Sequence, residues 1–285
     1  MMSRQAAIQR AVAEFDSGSF QQVLRQRIAR PTESQNPARS AELLAYLTED
    51  LQPALHAMGF ACRLIEHPKA KAPFLFAERL ESPDLPTVLG YGHGDVIRGL
   101  EPEWREGLSP WTLTELEGHS VNLQAMACVL AERGCLGFNA KFIIEMGEET
   151  GSPGLQDVCT DYAELLKADL LVASDGPRLR ADRPTIFLGS RGCINFDLSI
   201  ESRSGAHHSG NWGGLISNPG IQLAHAIASL VTDHGEIKVP EWKPKSLPDS
   251  VRRVLADCEV DGGANGPQIE PEWGQPGLSP AERVF

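Results

Sequence analysis

A chain of 285 residues, 41% hydrophobic and 22% charged, can bury a full core and is long enough for one large domain plus a second part. Its net charge of −12 argues against a nucleic-acid partner, because such readers cluster Lys and Arg over a broad face; acidity of this size is chiefly a solubility device. The six cysteines form no CxxC pair, the amino terminus has no apolar signal-peptide core, and no run is long enough to span a bilayer. The expectation is a cytoplasmic protein with reduced thiols and no membrane association.

Residues 5–30 have a helical apolar stripe (Ile8, Val12, Phe15, Val23, Ile28), interrupted at Asp16-Ser17-Gly18 and ended by Pro31. Leu43, Leu47, Leu51 and Leu55 predict a second helix over residues 40–58, stopped by Gly59. Strands are expected at 61–66, 74–78 and 87–91, then a helix over 120–133, a buried strand at 141–146, a helix over 153–167 and a strand at 169–173. Alternation of strand and helix favours α/β architecture with a mostly parallel sheet flanked by helices. From Pro184 the texture changes: 185–189 and 194–201 are expected to form an antiparallel pair, followed by a helix over 219–231, as in a smaller α+β module. Beyond Thr232 the chain is rich in Pro and Gly, with one short helix expected near 250–255. The expected division is 1–183 and 184–285.

Chemistry-bearing residues follow the expected strand ends. His93 and Asp95, in Gly92-His93-Gly94-Asp95, are two apart and can face one side, with Asp95 orienting one imidazole nitrogen while the other binds metal. Alone, such a pair is more often a satisfied surface or core contact. Glu148 and Glu149, after Gly147, can both reach one site only if the chain has left the strand; one carboxylate can then bind a cation while its neighbour moves a proton. Alone, they read as acidic residues at a helix start. Asp175, in Ser174-Asp175-Gly176-Pro177, reads as a turn, and His207-His208 precedes a glycine-dense loop suited to a substrate cover or a tight turn.

Together, in this order, these segments resemble the co-catalytic zinc amidohydrolases and peptidases, the family of acetylornithine deacetylase, succinyl-diaminopimelate desuccinylase, aminoacylase, glutamate carboxypeptidase and the carnosine-type dipeptidases. The resemblance covers nearly the whole chain. It implies a zinc-peptidase-like catalytic domain interrupted by an inserted lid domain that forms a homodimer. By position, His93 resembles a zinc ligand, Asp95 its orienting partner, Glu148 the general base and acid, Glu149 a ligand to one zinc and Asp175 a ligand to the other. His208 resembles the lid histidine that meets the substrate carbonyl, commonly from the partner subunit. The role of Arg191, at the start of the lid, is unassigned. Two zinc ions per subunit are implied, with cobalt or manganese as substitutes, and the substrate is a small peptide or N-acyl amino acid.

The pattern breaks twice. A bridging Asp in a Gly-rich loop is expected just before the helix at Ser120, yet the chain runs from Glu117-Gly118 straight into His119-Ser120, as if that loop were deleted. Glu117 and His119 are the residues placed to approach the vacancy. The family also takes a final zinc-binding His from catalytic sequence after the lid, and the present sequence stops at Phe285. The reading is zinc-assisted hydrolysis of an amide or peptide bond with Glu148 as base. The alternative is a truncated, catalytically impaired homologue acting as a dimerisation or binding protein. A serine hydrolase is set aside because no GxSxG elbow occurs.

Overall fold

The computed structural model describes residues 4–113, 121–173, 175–176, 192–243, 248–260 and 266–284. The chain divides into two compact units, Met1–Asp175 and Gly176–Phe285. The expected boundary at Pro184, the expected strand 185–189 and Arg191, Glu117 and His119 all lie outside the described residues.

The first unit is built on a five-stranded sheet in the order β1-β2-β4-β3-β5: β1 (Ala61–Ile65), β2 (Phe74–Arg79), β3 (Thr87–His93), β4 (Asn139–Glu145) and β5 (Leu170–Ala173). Here the expectation of a mostly parallel sheet is corrected. β4 and β5 run parallel to β3, but β1–β2 and β2–β4 are antiparallel, so the sheet is evenly mixed. The cause is the length of the connections. Parallel neighbours need a crossover of a dozen or more residues, supplied by α5 (Val121–Arg133) and by the pair α6 (Leu155–Asp161) and α7 (Ala163–Leu166). The links at 66–73 and 80–86 are too short and carry no helix.

Helices cover both faces of the sheet. α1 (Arg4–Asp16) and α2 (Ser19–Ile28) are separated by Gly18, whose φ of 80° suits the left-handed turn. α3 (Ser40–Ala45) and α4 (Gln52–Ala57) are joined through a π-helical stretch, Tyr46–Leu51. That wider turn lets Leu43, Leu47, Leu51 and Leu55, spaced strictly by four, all face the core instead of drifting round a 3.6-residue helix. They pack on Leu75, Ala77, Ala140 and Ile144. Strand alternation sends Ile65, Phe74, Phe76 and Ile143 to the opposite face, against Val158 of α6 and Leu166 of α7.

The 80–86 loop is anchored by polar side chains. Asn139 Oδ1 accepts the N–H groups of Glu81 and Ser82 (2.7 and 3.1 Å), and its amide donates to the carbonyls of Ser82 and Leu85 (2.7 and 2.9 Å). Glu81 accepts the N–H groups of Leu136 (2.7 Å) and Gly137 (2.9 Å) and pairs with Arg79. Burial alone would raise the Glu81 pKa, but these donors outweigh it and hold the carboxyl below its ordinary value. A depressed carboxylate stabilises the fold above its unfolded pKa, and that contribution is lost as pH falls through the folded value. Glu81→Gln is therefore expected to cost about 1–2 kcal/mol at neutral pH. The gap from wild type should close in acid; urea midpoints across that range would test this, and a gap constant with pH would refute it.

The second unit contains α8 (Ser209–Trp212), α9 (Pro219–Leu230), α10 (Asp249–Ala256) and α11 (Pro280–Val284). α9 starts where Asn218 Oδ1 accepts the N–H groups of Gly220 and Ile221 and Pro219 fills the first turn, where no donor is needed. Arg252 of α10 pairs with Glu282 of α11 at 3.0 Å. The partner expected for the strand over 194–201, residues 185–189, lies outside the described residues; among the described residues, 192–200 form no ladder, and Ile194, Phe196 and Leu198 alternate as a strand would. No helix among the described residues is long and apolar enough to cross a membrane.

Candidate metal centre

Because β3, β4 and β5 run parallel, their carboxyl ends deliver the residues that follow them to one edge of the sheet. His93 closes β3, directly opposite Glu145 at the end of β4. Gly94 then continues the ladder by donating to the Glu145 carbonyl (3.0 Å). A Cβ at Gly94 would run into the Tyr46 ring and the Met146 sulfur, so this turn accepts only glycine.

Asp95, with 1% exposure, is the organising residue of the site. Its Oδ1 lies 3.2 Å from His93 Nδ1 and accepts the Glu148 N–H at 3.2 Å, while Oδ2 accepts the Glu149 N–H at 3.2 Å. One buried carboxylate thus fixes the imidazole and the turn that carries both glutamates. Burial opposes its ionisation, yet the bonds from His93 and the Glu149 N–H outweigh that and keep its pKa below the ordinary value. In return, the Asp95 bond, against the opposing effect of burial and with help from the charges of Asp175 and Glu148, pushes His93 up to about 9.

With Nδ1 engaged, His93 Nε2 faces the remaining groups. Asp175 Oδ1 is 3.4 Å away and Glu148 Oε2 is 3.9 Å away. Ligand atoms of His93, Glu148 and Glu149 all lie within 4.8 Å of one another. Burial and the neighbouring Glu148 charge raise the Glu149 pKa and outweigh the opposing charge of His93. An imidazole and three carboxylates so gathered are a donor set for a divalent cation.

The Gly147–Ser152 turn closes on itself. The N–H groups of Thr150 and Ser152 donate to the Gly147 carbonyl at 3.1 and 2.9 Å. Ser152 Oγ donates to Glu145 Oε1 at 2.8 Å, and Tyr91 Oη donates to the same oxygen at 2.7 Å. Ser152 has a φ of 51°, uncommon for a residue with a side chain, and both of its bonds hold it there. Burial raises the Glu145 pKa, and burial together with the Glu145 bond raises that of Tyr91. Sequence reasoning overlooked this trio; the available signal was a carboxylate inside the otherwise apolar run ending at Met146. It also overlooked the buried segment Thr32-Glu33-Ser34, which pairs with Val96, while Gln35 donates to the Glu149 carbonyl at 3.2 Å.

The structure thus brings together His93, Asp95, Glu148, Glu149 and Asp175. His208 belongs to the second unit, where it caps α8 and its Nδ1 accepts the Gly210 N–H at 3.0 Å.

No family model matches the chain. Over 184 residues the chain is 31% identical to the Beta-Ala-His dipeptidase of Mus musculus, a match covering 59% of this chain and 37% of that protein. Over 220 residues it is 31% identical to the Cys-Gly metallodipeptidase of Schizosaccharomyces pombe, covering 68% and 46% respectively. The chain therefore spans less than half the length of these curated relatives. Among solved structures, human carnosine dipeptidase 1 superposes with a TM-score of 0.69 at 24% identity, over 90% of this chain and 59% of that one. The M20 family metallo-carboxypeptidase of Sulfolobus solfataricus gives 0.65 at 23%, over 87% and 60%. At such identities these two speak to the fold alone. The sequence relatives establish that the chain belongs to the M20 metallopeptidase family, with the Beta-Ala-His and Cys-Gly dipeptidases.

Proposed function

We propose that this chain hydrolyses the peptide or amide bond of a dipeptide or small N-acyl amino acid, using a divalent cation held by His93, Glu149 and Asp175. The observation that carries the reading is the convergence of His93, Glu148 and Glu149 ligand atoms within 4.8 Å, beside an Asp175 that also reaches His93. The names of the relatives, a Beta-Ala-His dipeptidase and a Cys-Gly metallodipeptidase, supply the substrate class. When bound, the cation supplies Lewis-acid polarisation of the scissile carbonyl and lowers the pKa of water.

The remaining steps belong to the chain. Asp95 holds the His93 proton on Nδ1, leaving the Nε2 lone pair for the cation. Glu148, with a partly exposed carboxylate, takes a proton from the attacking water and returns it to the leaving amine. His208 donates from Nε2 to the developing oxyanion, since its Nδ1 accepts from Gly210; the donor comes from a second copy of the chain, through a dimer built on a lid that begins near Pro184. Zinc is the proposed metal, with cobalt and manganese as substitutes.

One feature favours a second reading, a chain that keeps the site architecture to bind peptide without cleaving it: no Asp occurs between Asp95 and Asp157, where the bridging Asp of the family would fall. Hydrolysis of β-Ala-His and Cys-Gly, with zinc, cobalt or manganese supplied, decides between the two. Glu148→Gln is expected to lower turnover by about 10²–10⁴-fold with cation content unchanged. Wild-type turnover no higher than that of the variant with every metal would leave the binding reading standing.

A further inference from the structure

We infer that this chain holds a single cation at the carboxyl edge of its sheet, where the zinc peptidases it resembles hold two. The inference rests on the cation site proposed above and concerns how many ions that site can hold.

A catalytic zinc centre needs about three protein ligands and one open position. Two such centres about 3.5–4 Å apart need about six ligand bonds, or five donors with one of them shared. Among the described residues four donors converge: His93 Nε2 and the carboxylates of Glu148, Glu149 and Asp175. Reserving Glu148 for proton transfer leaves three, one complete centre with an open position beside the base.

A bridge between two ions would have to be a carboxylate already nearby. Asp95 has both oxygens committed, Oδ1 to His93 and the Glu148 N–H and Oδ2 to the Glu149 N–H. Turning it towards a cation would leave two main-chain donors without their acceptor. Glu145 is 2% exposed, and its Oε1 accepts from both Tyr91 and Ser152, which holds the carboxylate in place. No further Asp follows before position 157.

Ligand atoms about 2.0–2.2 Å from one ion stand at most about 4.4 Å apart. The 4.8 Å envelope of His93, Glu148 and Glu149 matches one such sphere before any contraction on binding. His93 and Glu149 therefore suit one shared ion with Glu148 beside it.

The test is titration of the metal-free 285-residue chain with Mn²⁺, read by calorimetry for stoichiometry and by electron paramagnetic resonance for coupling. The expected result is one ion per chain with the signal of an isolated Mn²⁺. Glu149→Gln and Asp175→Asn, close in shape to the originals, should each weaken binding by about 100-fold or more while the circular dichroism spectrum is unchanged. Two ions with a spin-coupled signal would overturn the inference while preserving the cation site, and would point to Glu117 or His119 as the extra donors. No saturable binding, or binding unaffected by both variants, would overturn the site reading and the inference together.

Discussion

Asp95→Ala is expected to lower cation affinity by at least about 10–100-fold and to destabilise the fold by several kcal/mol. Three donors converge on this one carboxylate, and two of them are the N–H groups of Glu148 and Glu149. Removing it leaves two part-buried main-chain donors unsatisfied, at about 1–3 kcal/mol each, and leaves the imidazole held only by the main-chain carbonyl of residue 95, 3.0 Å from its Nδ1. Asp95→Asn keeps one acceptor oxygen but sets an amide N–H₂ against a donor, so it should fall between wild type and Ala. Calorimetric titration with a divalent ion and urea unfolding on the same samples separate the two effects. Wild-type affinity in Asp95→Ala would mean that the turn is ordered by its own internal bonds and that Asp95 is dispensable.

Phe74→Ala carries the largest expected cost in stability, about 3–5 kcal/mol, against a typical domain total of about 5–15 kcal/mol. Phe74 is 1% exposed, lies opposite Ile65 across the β1–β2 pair, and packs in the cluster that includes Val158 and Leu166. That cluster anchors α6, the helix that begins three residues after Ser152, so the cavity should loosen the metal-bearing turn as well as the core. Phe74→Leu should recover part of the loss. A fall of the urea midpoint equivalent to less than about 1 kcal/mol would mean that the layer beneath α6 collapses to fill the space.

Much of this architecture could be read from residue periodicity, and the failures have physical causes. The four-residue row from Leu43 to Leu55 announced one buried helix, but no periodicity distinguishes a uniform helix from one with a π-helical stretch. The strands were found because short apolar runs stand between segments carrying Pro, Gly, Asp or Ser. Their directions were misjudged because the alternation after His93 was extended back to β1 and β2, where the short links 66–73 and 80–86 leave no room for a crossover. In the site, His93, Glu148, Glu149 and Asp175 were found by residue type and placement after strands. Glu145, Tyr91 and Ser152 were missed because their partnership depends on strand register and on an unusual backbone angle, neither of which a linear motif records.

The grip of Asp95 on positions 148 and 149 is made through main-chain N–H groups, which every residue except proline possesses. The loop is therefore largely indifferent to which side chains it displays there. Substitution at either position can alter or abolish chemistry while leaving the scaffold intact, so a lineage with this loop can drift between hydrolase and silent binder without crossing an unfolded intermediate. Loss of activity and loss of structure are separate evolutionary events in such a protein, and the first can long precede the second.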